Sequence, residues 1–194
     1  KKFKFLKQDF KRIEKKISNI EFFISNDQNE KKRILDYIIL KKSAQYDRNN
    51  SWNLFKKENY RDFLKSFLKR NELHLSFLKI DGKIVSAHYG FIYEKIFYYI
   101  FPVYDFKFRN LSPGNLLLYR LINSEKKKLN FFDFTIGDEI YKKKWSNITI
   151  KTSNDMKIIS LTGIFYFLFL KIKKITLKNI FLKNNLRKLY HRFK

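Results

Sequence analysis

Between Leu73 and Tyr104 the chain alternates with a period of two and breaks at two short turns, and this constrains the fold more than any other stretch. Leu73, Leu75 and Phe77 alternate with His74 and Ser76, the pattern of a strand with two distinct faces. Asp81-Gly82 is a two-residue hairpin signal, because glycine readily takes the positive φ such a turn requires. Lys83 to Tyr93 and Ile96 to Tyr104 follow as strands around Glu94-Lys95. A three-stranded antiparallel meander is predicted. Pro102, late in its third strand, cannot donate to a ladder and predicts a bulge or a splay there.

The flanks supply helices. Ser112-Pro113-Gly114 opens one, with Ser as cap, Pro where a missing amide costs little, and Leu116, Leu117, Leu121 and Ile122 as buried face, running to about Lys128. Phe131 to Ile136 is the next strand and Asp138 to Trp145 a short helix or turn. Upstream, Ile20 to Ser25 reads as a strand, and Asp27 with Glu30 forms a capping box ahead of Ile34, Leu35, Ile38 and Ile39. After the polar loop Asp47 to Asn50, the spacing of Tyr60, Phe63, Leu64, Phe67 and Leu68 predicts a second amphipathic helix ending near Asn71. The expected class is α+β, a mostly antiparallel central sheet flanked by helices.

With 44% hydrophobic and 19% aromatic residues, the 194-residue chain has ample apolar surface to fold, and its length favours one main domain. The absence of cysteine removes disulfides and thiolate chemistry, and His74, His88 and His191 have no metal-ligand spacing, so no metal is expected. The net charge of +25 invites a nucleic-acid or anionic-membrane partner. Lys, Asn, Ile and Phe are overused together, however, as A- and T-rich codons would produce, and nucleic acid is not the favoured partner. From Lys151 onward there are 11 Lys and Arg against one acid, Asp155, a net +10, with Ile172, Ile175, Leu182, Leu186, Leu189 and Phe193 at roughly helical spacing. This predicts a basic amphipathic helical tail, with a break near Asn184-Asn185, whose part from 171 to 194 suits an anionic membrane surface. The longest apolar run, Ile158 to Leu170, is too short to span a bilayer, which takes about 20 residues.

A splayed strand leading into a helix with a small-residue first turn makes a pocket with two useful properties. Unpaired strand amides can bind an extended amide-containing arm, and the free amides and dipole of the helix can hold a pyrophosphate. Arg109, three residues ahead of Ser112, adds a donor suited to phosphate oxygens. An ordinary capped helix on a loop would have the same sequence.

Strand, strand, strand, Arg109-Asn110-Leu111-Ser112-Pro113-Gly114, helix, strand resembles the GNAT acyltransferase core, whose pyrophosphate loop reads Arg/Gln-x-x-Gly-x-Gly/Ala. Tyr104-Asp105, Leu111 to Leu117, and the run Phe132-Asp133-Phe134-Thr135-Ile136-Gly137-Asp138-Glu139-Ile140-Tyr141-Lys142-Lys143-Lys144-Trp145 resemble the branch named for the cellulose-biosynthesis protein CelD, relatives of the FemAB peptidyltransferases. Ser112 departs from the family pattern by standing where the general loop has its first glycine.

The resemblance implies an acyltransferase that moves an acyl group from acyl-CoA or acetyl-CoA to an amine or hydroxyl of a sugar, lipid or cell-envelope precursor. It implies donor contacts at Arg109, Ser112, Gly114, Asn115 and Val103, and oxyanion donors among the strand amides from Phe101 to Tyr104. Tyr141 would be the leaving-group acid and Lys142 a phosphate contact, with Asp138 beside them in a catalytic set. The competing reading makes Tyr141 and Trp145 a packed pair and Asp138 and Lys142 a local ion pair, each at i and i+4. Asp133, His74 and His88 are weaker base candidates. Double-GNAT relatives and the start at Lys1-Lys2-Phe3 raise the expectation of a missing upstream half. The expected organisation is 1–19 as linker or remnant of that half, 20–150 as core, and 151–194 as a final strand and basic tail, in a cytoplasmic protein peripheral to the inner face of the membrane. The alternative is a non-catalytic module docking through its tail to anionic membrane or RNA.

Overall fold

Asp81 and Gly82 sit at φ +49° and +74°, and Glu94 and Lys95 at +49° and +61°. Both hairpins therefore close in the tight turn whose twist matches that of the strands it joins, the second without any glycine. Around them the computed structural model, which describes residues 19–152 and 159–178 and the side chains of 19–152 and 159–172, forms a five-stranded sheet. Its strands are β1 (Ile20–Ile24), β2 (Leu73–Ile80), β3 (Lys83–Tyr93), β4 (Ile96–Tyr104) and β5 (Phe131–Asp133), in that spatial order. The first four pair antiparallel and β5 pairs parallel to β4. Register shifts fall at Leu78/Lys79 and at Tyr89/Gly90.

Four helices attend this sheet: α1 (Gln28–Arg48), α2 (Glu58–Ser66), α3 (Pro113–Glu125) and α4 (Ile140–Trp145). The start of α1 follows the capping rule in half: the Glu30 amide donates to Asp27 Oδ2 at 2.8 Å, while the Glu30 carboxylate turns to accept from Ser25 Oγ at 2.9 Å. Two cores form, one on each face. Ile34, Leu35 and Ile38 of α1 pack with Leu73, Leu75, Phe77, Ala87, Tyr89 and Val103, and Leu116, Leu117 and Leu121 of α3 pack with Leu78, Phe97, Tyr99 and Trp145. Helices on both faces explain why β2 is buried from Leu73 to Leu78, where the alternation with His74 and Ser76 alone would leave one side to solvent.

The chain divides into two compact units, 1–148 and 149–194. In the second, α5 (Leu161–Lys178) is the one element among the described residues. Of the linker expected at 1–19, residues 1–18 lie outside the described residues, as do 153–158, the break near Asn184-Asn185 and the tail beyond Lys178. No helix among the described residues is long and apolar enough to cross a membrane.

Candidate active site

β5 stays beside β4 for only three residues, Ile96↔Phe131 to Tyr98↔Asp133. It then leaves: Thr135 takes φ +59° and donates its amide to Asp133 Oδ1 at 2.7 Å. The strand expected to reach Ile136 therefore ends at Asp133, and among the described residues no strand lies on that side of β4 from Tyr99 to Tyr104. The Asp105 amide donates to Val85 O and Ser86 Oγ donates to Val103 O, both at 2.8 Å, so residues 103 and 105 face β3. Alternation turns the main chain of 102 and 104 to the parted edge. Pro102 supplies only its carbonyl there, which accepts from Lys42 Nζ at 3.2 Å, and Tyr104 supplies an amide. Val103, expected to face a donor, instead buries its side chain against α1 and engages β3 with its main chain.

At the end of β4, Asp105 caps a 3-10 turn, Phe106–Leu111, by accepting from the Lys107 amide at 3.0 Å. It also accepts from Lys41 Nζ at 2.6 Å. Burial would raise its carboxyl, but these two donors outweigh burial and hold it below the usual carboxylate range. Ser112 follows at φ +48°, ψ +47°, and its side chain makes no capping hydrogen bond. A capping side chain needs an extended backbone to reach the first-turn amides, and the left-handed conformation denies it that reach. The Ser112 carbonyl accepts from the amides of Asn115 and Leu116 at 3.0 and 3.1 Å. Pro113 has no amide, so Gly114 N–H is left for an external acceptor. A Cβ on Gly114 would lie 3.7 Å from Tyr104 Cδ1, so the Tyr104 ring borders the turn. Arg109 is exposed, 4.6 Å from the centre of Phe106, and Arg48 of α1 lies at the same distance from that ring. Asn115 Oδ1 accepts from Trp145 Nε1 at 3.3 Å, tying the start of α3 to the end of α4.

On the α4 side, Lys142 is buried, donating to Ile136 O at 2.8 Å and pairing with Glu139 Oε2 at 2.9 Å. The pairing expected of Asp138 falls to Glu139, because α4 begins at Ile140 and Asp138 lies before the helical geometry that brings i and i+4 together. Asp138 itself is exposed. Gly137, at φ +134°, leaves room for this pair, since a Cβ there would strike Glu139 and come within 2.9 Å of Lys142 Nζ. Tyr141 is half-buried and edge-on to Phe134 at 6.3 Å; burial, then Glu139, push its phenol up to about 12. Lys42 is the residue that sequence reasoning passed over. Burial lowers its ammonium to about 8, with Glu139 opposing the drop and Lys142 reinforcing it. The signal was present: Lys42 continues the stripe Leu35, Ile38, Ile39 at helical spacing, a polar residue on the face that α1 buries.

The weaker base candidates lie elsewhere. Asp133 is exposed and spends an oxygen on Thr135. His88 is fully buried and stacked on Tyr99 at 4.1 Å, and His74 meets Phe97 at 4.9 Å. Among the described residues no group of three or more His, Cys, Asp or Glu could hold a metal.

Four antiparallel strands, a parallel fifth that parts from β4, and a helix rising from the parted end define a GNAT core. Residues 1–143 match the family model of the acetyltransferase (GNAT) domain, and the chain belongs to that family. No curated protein matches it. Solved structures share the fold at low identity. A possible acetyltransferase from Clostridium difficile 630 is 11% identical, with TM-score 0.56, covering 74% of this chain and 100% of that one. A predicted acetyltransferase from Clostridium acetobutylicum, solved with acetyl-CoA, is 12% identical, with TM-score 0.53, over 72% and 97%. An aminoglycoside acetyltransferase from an uncultured soil metagenomic sample, solved with trehalose, is 11% identical, with TM-score 0.51, over 73% and 97%.

Proposed function

We propose that this GNAT domain moves an acetyl group from acetyl-CoA to an amine or hydroxyl of a sugar, lipid or cell-envelope precursor, as a member of the CelD-like branch. The observation that supports this most is the edge of β4 from Tyr99 to Tyr104, which has no strand beside it among the described residues and ends beside the first turn of α3. The parts there fit the donor: the Tyr104 amide and Pro102 carbonyl for an amide-bearing arm, and the Gly114 amide with the positive end of α3 and Arg109 for a pyrophosphate. When bound, the thioester supplies the activated acetyl group. Tyr141 keeps its proton well beyond neutral pH and is the chain's proton donor for the departing sulfur. Lys142 acts by positioning, its ammonium committed to the Ile136 carbonyl and to Glu139, the carboxylate that acts on Tyr141. The sugar side of the acceptor class is supported by the aminoglycoside acetyltransferase that shares the fold.

Calorimetry with CoA tests the donor site. Gly114→Trp sets an indole into the turn, and Arg109→Ala removes the exposed guanidinium; each should weaken CoA by about tenfold or more, about 1.4 kcal/mol. Unchanged affinity in both would remove the pyrophosphate assignment.

A further inference from the structure

Lys42 is an amine set where the transferred group would arrive. Its Nζ lies 3.2 Å from the Pro102 carbonyl, on the side of β4 that carries no strand there among the described residues. It reaches there from α1, half-buried, along a helix whose other stripe residues are core. Glu139 and Lys142 act on it from the α4 side, Tyr46 of its own helix holds its ring 6.0 Å away, and buried His88 senses it from within the sheet. Its neighbour Lys41 is taken by Asp105.

We infer that Lys42 is itself an acetyl acceptor, and that the chain acetylates this Nζ from a thioester donor held along the parted edge of β4. This rests on the donor reading above. The neutral amine donates one N–H to the Pro102 carbonyl, which leaves its lone pair free for attack. A bond forms between Nζ and the acetyl carbon, the carbon–sulfur bond breaks, and one amine proton ends on the departing thiol, giving an acetamide and free CoA. Burial keeps a working share of Lys42 neutral near pH 8, whereas an ordinary lysine is almost wholly charged there. The product is a neutral, bulkier group beside Pro102 at the parted edge of β4, so modification would slow transfer to any outside acceptor.

The full chain incubated with acetyl-CoA and digested should show one acetyl group on Lys42 and none on Lys41 by mass spectrometry. Its occupancy at a given time should not change on dilution of the protein. Gly114→Trp and Arg109→Ala should each cut the labelling at least severalfold, while acetyl phosphate, used as a purely chemical source, should label lysines alike in all three proteins. A second readout needs no thioester: trace labelling with acetic anhydride across pH should give Lys42 a midpoint near 8, moving lower in Glu139→Gln. Lys42 unlabelled in a chain that binds CoA by calorimetry overturns the inference and leaves the donor site standing. Equal labelling in the Gly114→Trp chain, or a midpoint shared with the exposed lysines, overturns it as well. A chain that binds no CoA takes both proposals down.

Discussion

The two halves of the sheet solve opposite problems. From β2 to the start of β4 every strand has a neighbour on both sides, and the interior carries His88, Tyr99, Phe97 and Phe132 as a cluster of aromatic rings. Past Tyr98 the sheet parts, and the groups that gather there are charged: Lys42, Glu139 and Lys142, with Lys41 and Asp105 at the strand's end. The closed half keeps its histidines neutral by excluding water; the open half pairs Lys142 with Glu139 and Lys41 with Asp105, and leaves Lys42 lowered by burial. A polar residue can thus be embedded in either half, but only in the open one does it lie beside a strand edge without a neighbouring strand among the described residues.

The closed half should be the easier to break. Gly90 sits at the register shift between β3 and β4, and a Cβ there would strike the Tyr98 carbonyl and the His88 ring. Because the obstacle includes backbone, Gly90→Ala should cost about 3 kcal/mol or more in urea denaturation. Acid attacks the same region. Burial holds His74 down at about 4 and His88 well below its ordinary value of 6.5. The unfolded chain therefore binds protons that the folded chain refuses, so this contribution is complete above pH 6.5 and is lost as pH falls toward 4. His74 alone should account for about 2 kcal/mol of lost stability at pH 5, and urea midpoints flat from pH 7 to 5 would contradict the dry cluster.

Changes at the open half should be milder and show in binding. Asn115→Ala removes the acceptor of the Trp145 indole bond and should cost about 1 kcal/mol in thermal unfolding. Pro102→Ala should act least and in the other direction: it restores an amide to the parted edge, and CoA should bind a few times tighter by calorimetry, up to about 1 kcal/mol. Weaker binding would mean that the donor does not lie along that strand.

The sequence disclosed the closed half far better. The limits of β3 and β4 are as expected, because both are set by turns encoded in two adjacent residues. The Asp27 cap and the buried stripe of α1 are local too. The second helix stops at Ser66 instead of near Asn71, and α3 at Glu125 instead of near Lys128, since helix ends fray into turns that periodicity does not register. In the site, the turn that carries Arg109, Ser112 and Gly114 was legible because a turn announces itself, and a parting of β4 from its neighbour was foreshadowed by Pro102. The departure of β5 after Asp133, the left-handed Ser112, the choice of Glu139 over Asp138 and the meeting of Lys42 with the Pro102 carbonyl were hidden. Each depends on contacts between segments far apart in the chain or on a backbone angle that no neighbouring residue dictates.

The bond from Trp145 to Asn115 gives the protein an optical gauge of its own. Of its two tryptophans, Trp52 is 67% exposed and Trp145 is 9% exposed. The first should emit at long wavelength and report only solvent, while the second, fastened to the opening of α3, should emit at short wavelength and respond when that turn is occupied. Quenching by iodide would silence Trp52 and leave the informative fluorophore to be read without any added dye.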